Sequence, residues 1–339
     1  MQLNRRKALL LGAAAGASAL TPSAAWAYGP NHEDALRPES LYRGAARPFI
    51  PLWPRTPPGA PRRAPAEEIT ERSQPPALRD RMIAHVARPM MAVFRPENPN
   101  GAAMIIAPGG GYGRVVADKE GYEIAEWFAA RGFTCFVLFY RLPGDGWGAG
   151  PDVSLQDAQR AMRIVRARAE EFAIDPARIA FMGCSAGGHV AGSLSLRFDA
   201  EIYARIDAAD DVSARPDASA LLYPVTMMSG DYVHAGSRRQ LLGEAPSEDL
   251  MRAYSLDLNA RADAPPTIFI HAADDEAVPV INTLSLLHAL HQVGVATELH
   301  VFEAGGHGFG TRLTIGKPTE IWPQLVYNWL GARGLFAPA

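Results

Sequence analysis

From Met90 onward, short apolar runs alternate with amphipathic stretches. The runs fall at 90–94, 102–107, 134–139, 179–182, 218–223, 267–271 and 297–302, and each reads as a strand. Between them the period changes. Residues 120–131 set Ile124, Trp127 and Phe128 against Glu123, Glu126 and Arg131. Residues 155–172 carry a stripe of Leu155, Ala158, Met162, Val165 and Ala169. Further helices are predicted from near Ala186 and over 319–330. Strands alternating with helices predict an α/β fold, a mostly parallel central sheet with helices on both faces. Residues 224–264 interrupt the alternation and are too long for an ordinary connection, so they predict either a lid or a surface excursion.

The N-terminal quarter lacks this rhythm. Pro48, Pro51, Pro54, Pro57, Pro58, Pro61 and Pro65 exclude regular helix, and residues 28–80 read as an extended arm along a catalytic domain of 81–339, with Trp53 as its anchor. Residues 1–27 read as a secretory signal peptide. Arg5-Arg6-Lys7 is the basic start, the run from Ala8 to Leu20 the apolar part, and Ala25-Trp26-Ala27 the cleavage site. The paired arginines and weak hydrophobicity favour the twin-arginine route, although Ala8 stands where a bulky apolar residue is usual. The expected mature chain begins at Tyr28 and is exported, periplasmic or secreted. The apolar run of 8–20 is shorter than the roughly 20 residues a membrane span needs, so no span is expected in the mature chain.

Composition narrows the function classes. The 339 residues are 48% apolar and 20% charged, the average of a globular chain. A net charge of −3 supplies no basic surface for nucleic acid or an anionic membrane. Two cysteines, Cys135 and Cys184, are too few for a disulfide scaffold or a Cys-rich metal site, and a bridge between them stays open.

Chemistry concentrates at Gly183-Cys184-Ser185-Ala186-Gly187, a G-x-S-x-G directly after a predicted strand and before a predicted helix. That context makes a sharp turn that lifts the Ser185 hydroxyl above the sheet. A serine hydroxyl needs a base, and the partners follow in the order acid, then histidine. The strand 267–271 runs into Asp274-Asp275-Glu276, and the strand 297–302 runs into Gly306-His307-Gly308. Both sites lie past the C-terminal ends of their strands, where an open α/β sheet forms its crevice. His307 is the predicted base. Asp275 is preferred to Asp274 as the acid because neighbours on an extended loop face opposite ways; the unused acids are expected to be solvated or to cap the helix near Pro279. His189 sits in the elbow helix and His271 within a strand. An oxyanion hole needs backbone N–H groups, one from Ala186 and others from Pro108-Gly109-Gly110-Gly111-Tyr112. That loop lacks the Lys and spacing of a phosphate loop.

With Tyr140-Arg141-Leu142 and Val278-Pro279 added, these motifs resemble the α/β-hydrolase-fold serine esterases. The similarity is greatest to the acetyl esterase/hormone-sensitive-lipase-like group, which includes exported bacterial acetylxylan and feruloyl esterases. The resemblance covers about 90–330. Its lipase-like members have His where Pro108 stands here, a change that leaves the glycine donors in place. It implies Gly110 and Gly111 as loop donors and a serine acyl-enzyme mechanism with no metal or organic cofactor. It also implies a short acyl group, acetyl first, on a carbohydrate such as a xylan-derived oligosaccharide. Feruloyl or general short-chain carboxylesterase activity is the alternative, and a non-catalytic binding protein would show a broken triad. Tyr112 and Trp147 are the candidate substrate contacts, Trp147 either as an exposed indole for stacking on a sugar ring or as a ring that merely packs on the domain surface.

Overall fold

A computed structural model describes residues 48–63, 65–74 and 78–336. The expected signal peptide and the arm before Pro48 lie outside the described residues.

The core is an eight-stranded sheet. Its strands are β1 (Phe49–Pro51), β4 (Met90–Phe94), β7 (Thr134–Phe139), β5 (Ala103–Ala107), β8 (Ile179–Cys184), β9 (Ala218–Leu222), β10 (Thr267–Ala272) and β11 (Thr297–Phe302), in that spatial order. From β7 to β11 every pairing is parallel; β4 runs antiparallel to β7, and β1 antiparallel to β4. Residues in β4, β5, β7, β8, β9 and β10 are buried throughout, which is why these segments read as unbroken apolar runs. Only β11, at the edge, is half-buried. Seven α-helices among the described residues accompany the sheet: α1 (Glu123–Ala129), α2 (Val153–Ala167), α3 (Ala186–Arg197), α4 (Ala235–Leu242), α5 (Glu248–Tyr254), α6 (Ile281–Gln292) and α7 (Trp322–Ala332).

Three features depart from the pattern-based expectations. The helix expected over 155–172 ends at Ala167, and a 3₁₀ turn, Glu170–Phe172, follows before Ala173 turns to φ +54°. The helix expected over 120–131 begins instead with a wide π-type turn, Asp118–Tyr122, and becomes α-helical only at Glu123. A small antiparallel sheet is the third, and the hydrophobic pattern gives no sign of it. It joins β2 (Glu68–Glu71), β3 (Arg81–Ala84) and β6 (Val115–Val116). Its buried Arg81 pairs with Asp118 at 2.6 Å, and the Arg81 backbone N–H also donates to Asp118, so the small sheet holds the wide turn in place.

Pro-rich residues from Phe49 to Pro61 are stitched to the domain by buried polar bonds. The Trp53 indole N–H donates to Asp157 at 2.7 Å, Arg160 donates to the Leu52 carbonyl at 2.9 Å, and Arg141 donates to the Pro58 carbonyl at 2.8 Å. Arg141 and Asp157 are both fully buried and pair at 2.8 Å. A buried pair of this kind holds only while every lone pair and proton is used, and the arm supplies two of the partners, the Trp53 indole and the Pro58 carbonyl. Residues 224–264 contain α4, α5 and a 3₁₀ turn, Leu256–Leu258; α4 packs on the turn Pro143–Asp145. Cys135 and Cys184 are both free and buried, so no bridge joins them.

Candidate active site

At the end of β8 the chain reverses within one residue. Ser185 adopts φ +54°, ψ −119°, a conformation that non-glycine residues reach only when their surroundings force it. The surroundings do. A Cβ on Gly183 would lie 2.1 Å from the Gly187 carbonyl oxygen, and a Cβ on Gly187 would lie 2.1 Å from the Ala107 carbonyl oxygen. Both flanking positions therefore need glycine for close approach of backbone to backbone. The turn is pinned by Ser185 N–H to Leu222 O (3.0 Å) and Val225 N–H to Ser185 O (3.1 Å).

Three side chains meet there. Ser185 Oγ lies 2.8 Å from His307 Nε2, and His307 Nδ1 lies 2.7 Å from Asp275 Oδ2. Ser185 is 6% exposed and Asp275 4%. Asp275 Oδ1 accepts the Ala277 and Val278 N–H groups at 3.0 and 2.8 Å. Burial pushes the Asp275 carboxyl up, but the hydrogen bonds from His271 and His307 and the backbone outweigh it and hold the group well below the usual carboxylate range. An anionic Asp275 keeps the His307 proton on Nδ1, which leaves Nε2 free to accept from Ser185. Cys184, beside the serine, is no rival: burial holds its thiol well above its ordinary value, and the thiolate is the reactive form.

The glycine loop after β5 lies against this turn. A Cβ on Gly109 would sit 2.9 Å from Ser185 Cβ. The Gly109 N–H donates to Glu120 Oε2 at 2.9 Å and is thereby used up. The N–H groups of Gly110 and Gly111 have no protein acceptor among the described hydrogen bonds. Ala186 opens α3, so its N–H has no partner within the helix. The arrangement can bind an anionic oxygen beside Ser185 with backbone donors alone.

Asp274, expected to be solvated or a helix cap, is exposed and caps no helix. Its Oδ1 accepts the Gly305 and Gly306 N–H groups, both at 2.8 Å, and so fastens the loop that carries His307. Tyr112 is not positioned as a substrate contact. It is 2% exposed, has φ +62°, and its hydroxyl is 2.7 Å from His189 Nδ1. Trp147 is 4% exposed and packs over Arg141, 4.9 Å from ring centroid to guanidinium carbon. Of the two readings of Trp147 the packing one holds: four glycines around an aromatic suggest a mobile tip, but this ring turns inward to cover the buried Arg141.

Four further residues are hidden from sequence reading. Glu120, 4% exposed on the wide turn, holds Gly109 with one oxygen and accepts the Tyr223 hydroxyl at 3.2 Å with the other. The Tyr223 ring stands edge-on to His307 at 5.1 Å. Buried His271 contacts Val278 O at 2.9 Å and Asp275 Oδ2 at 3.3 Å through Nε2, and so braces the acid. His234 caps α4, its Nδ1 accepting the Ser237 N–H at 3.1 Å. Burial and the neighbouring His307 lower its pKa, although Asp275 opposes them. Among the described residues no three of His, Cys, Asp and Glu are grouped to hold a metal ion. No helix among them is long and apolar enough to cross a membrane.

The model of the BD-FAE family matches residues 91–290, more than half of the chain, and spans the elbow, the glycine loop and Asp275. The chain belongs to the BD-FAE family. This BD-FAE chain is 34% identical over 245 residues to an acetylxylan esterase of Xylanibacter ruminicola, a match covering 71% of this chain and 47% of that protein. It is 35% identical over 205 residues to an endo-1,4-beta-xylanase B of Butyrivibrio fibrisolvens, covering 60% of this chain and 32% of that one. The chain thus spans about half the length, or less, of these curated relatives. Among solved structures, an acetyl ester-xyloside bifunctional hydrolase of Caldicellulosiruptor lactoaceticus superposes with a TM-score of 0.69 at 31% identity, covering 86% of this chain and 97% of that one. The carboxylesterase Cest-2923 of Lactobacillus plantarum gives 0.62 at 26% identity, covering 80% and 100%. The fold of this BD-FAE member is the α/β-hydrolase fold.

One histidine in the site makes stability depend on pH. His189 is 1% exposed, and its Nε2 donates to the Tyr254 carbonyl at 2.8 Å, so Nδ1 accepts from Tyr112. Burial pulls its pKa down from 6.5 to about 4. The unfolded chain binds this proton first, so the stability the neutral ring supplies is whole above pH 6.5 and drains away as pH falls toward 4. The full loss is up to about 3 kcal/mol, since each tenfold drop in proton affinity is worth about 1.4 kcal/mol. Thermal melts should show a lower Tm at pH 4.5 than at pH 7; an equal or higher Tm would contradict a buried neutral His189.

Proposed function

We propose that this protein hydrolyses carboxylic esters of short acids through an acyl-enzyme on Ser185, and that its substrate is an acetylated carbohydrate of the xylan-derived oligosaccharide kind. The observation that carries the reading is the unbroken chain of hydrogen bonds Ser185–His307–Asp275, 2.8 and 2.7 Å long, on a strained elbow. Ser185 Oγ attacks the ester carbonyl carbon while His307 Nε2 takes the hydroxyl proton. Negative charge moves to the carbonyl oxygen, where the N–H groups of Ala186, Gly110 and Gly111 receive it. The C–O bond to the alcohol breaks, and His307 returns the proton to the departing oxygen. Water then attacks the acyl carbon, again giving its proton to His307. The carboxylic acid leaves, and Ser185 recovers its proton. Asp275 remains anionic throughout and stabilises the imidazolium.

The carbohydrate part is supported by the acetylxylan esterase of X. ruminicola and the bifunctional hydrolase of C. lactoaceticus. The test is a panel of p-nitrophenyl acetate, butyrate and octanoate beside acetylated xylan and methyl ferulate. Acetate should exceed octanoate by at least tenfold in kcat/KM, and acetylated xylan should release acetic acid. Preference for octanoate or ferulate would overturn the short-acyl reading.

Export belongs to the same proposal. Arg5-Arg6-Lys7, the run 8–20 and Ala25-Trp26-Ala27 support a cleaved leader. N-terminal sequencing of protein from its native host should begin at Tyr28; an intact Met1 on a cytoplasmic protein would refute it. Replacing Arg5-Arg6 with Lys-Lys should block export if the route is twin-arginine.

A further inference from the structure

A polar track leads away from Ser185 along one face of α4. A Cβ on Gly111, in the glycine loop, would lie 3.8 Å from Ser237 Oγ and 3.9 Å from His234 Cε1. One turn further on, Gln240 lies over Gly113 (3.8 Å from an added Cβ) and over Gly144 (2.7 Å). His234, Ser237 and Gln240 are spaced i, i+3, i+6 and so share a face. Six residues of helix rise about 9 Å. Gly144 is also in the wall of a cavity of about 580 Å³, together with Arg63, His85 and Asp145.

That cavity has groups left over for a ligand. Asp145 Oδ1 is 2.7 Å from His85 Nδ1, while Asp145 Oδ2 is buried and has no hydrogen-bond partner. The Asp145 side chain is only 8% exposed and its Oδ2 is fully buried, so the groups a ligand meets in the cavity are the exposed Arg63 and the His85 ring. His85 holds φ +56°, with its side chain 44% exposed at the cavity. At the other end of the track, Nδ1 of His234 accepts from Ser237, so the neutral ring carries its proton on Nε2 and is a donor.

We propose that the His234 and Gln240 side chains on one face of α4, with the buried Ser237 bracing His234 between them, and the cavity of Arg63, His85 and Asp145 form one cleft for the leaving alcohol, built for an oligosaccharide chain. The cavity would hold a sugar remote from the ester. Donors (His234, Arg63) accompany a group that both donates and accepts (Gln240), and a run of sugar hydroxyls is likewise both donor and acceptor. The volume lies within the roughly 300–1,000 Å³ of small-molecule sites. The distance of about 9 Å along the helix puts the cavity beyond a sugar attached directly to the ester, so the cleft distinguishes a chain from a single ring. This inference rests on the carbohydrate reading above and deepens it.

The test compares kcat/KM for monoacetylated xylotetraose with that for monoacetylated xylose. Wild-type protein should favour the tetraose. Arg63→Ala and Gln240→Ala, both at exposed positions, should each lower that ratio about tenfold, the scale of one hydrogen bond to a charged or well-placed group. Arg239→Ala, on the solvent side of α4 in a pair with Glu244, should move it less than twofold. An independent arm needs no variant: deacetylated xylotetraose should inhibit p-nitrophenyl acetate hydrolysis by the wild-type protein at least tenfold more tightly than xylose. Equal inhibition, or a ratio unmoved by Arg63→Ala and Gln240→Ala, would overturn the cleft while leaving the carbohydrate reading intact. Activity on p-nitrophenyl acetate with none on either acetylated sugar would overturn both.

Discussion

Replacing Ser185 with alanine should lower kcat on p-nitrophenyl acetate by about a millionfold, the scale seen when a serine hydrolase loses its nucleophile. Without Oγ the proposed acyl-enzyme cannot form, and what should remain is the binding and charge stabilisation that the proposal assigns to the backbone donors of Gly110, Gly111 and Ala186. The loss should not come from unfolding. Ser185 makes its structural bonds through its backbone, to Leu222, Val225 and His189, and alanine keeps all of them. Alanine at φ +54° carries the same kind of strain as serine. An unchanged thermal melt should therefore accompany the lost activity. Activity retained by a Ser185→Ala preparation free of host esterase would end the acyl-enzyme proposal.

Asp275→Asn should cost about 10⁴ in kcat, as the corresponding change does in serine proteases, while Asp274→Asn should stay within a few-fold. The contrast follows from which oxygen each neighbour uses. Backbone N–H groups of Ala277 and Val278 claim Asp275 Oδ1. In the asparagine variant they would claim the amide oxygen and turn the NH₂ toward His307 Nδ1. Two donors cannot share a hydrogen bond, so His307 would move its proton to Nε2, facing Ser185, and could no longer act as a base. Asp274 uses one oxygen for both of its bonds, to Gly305 and Gly306, and an asparagine oxygen accepts them equally well. Steady-state kinetics on the two variants decides between the neighbours; a damaging Asp274→Asn with a mild Asp275→Asn would reverse the assignment.

The parts of the site that are legible in the sequence are those carried on single strand ends. Ser185 and Asp275 lie at or just past the ends of buried apolar strands and His307 just past the half-buried edge strand β11, so chain order and strand position are enough to nominate them. The small bends that complete the arrangement come from contacts between distant segments. Glu120 reads as one more acid in an amphipathic stretch until the π-type turn swings it under Gly109, and Tyr223 reads as the end of a strand. His271 looks like a strand histidine because its bond to Asp275 depends on the turn between them. The two aromatic contacts depart from expectation for one reason. Glycine-rich flanks suggest exposure, whereas at Tyr112 and Trp147 they allow the backbone to fold tightly enough to bury the ring. The short strands β1, β2, β3 and β6 are illegible because two to four residues are too few to show a period, and proline obscures the first of them.

Strand β1 has a consequence for solubility. It is three residues long, yet it covers the hydrogen-bonding edge of β4, a strand buried along its whole length. Behind it, Trp53 fills a buried site against Asp157. A chain beginning after Trp53 would uncover a flat apolar edge, the kind of template on which strands of other molecules add. It would also leave the Asp157 carboxylate one donor short in a fully buried position. The sheet could still form, and the residues around Ser185 would be untouched. Self-association, before any loss of activity per folded molecule, should be the first sign that the arm is missing.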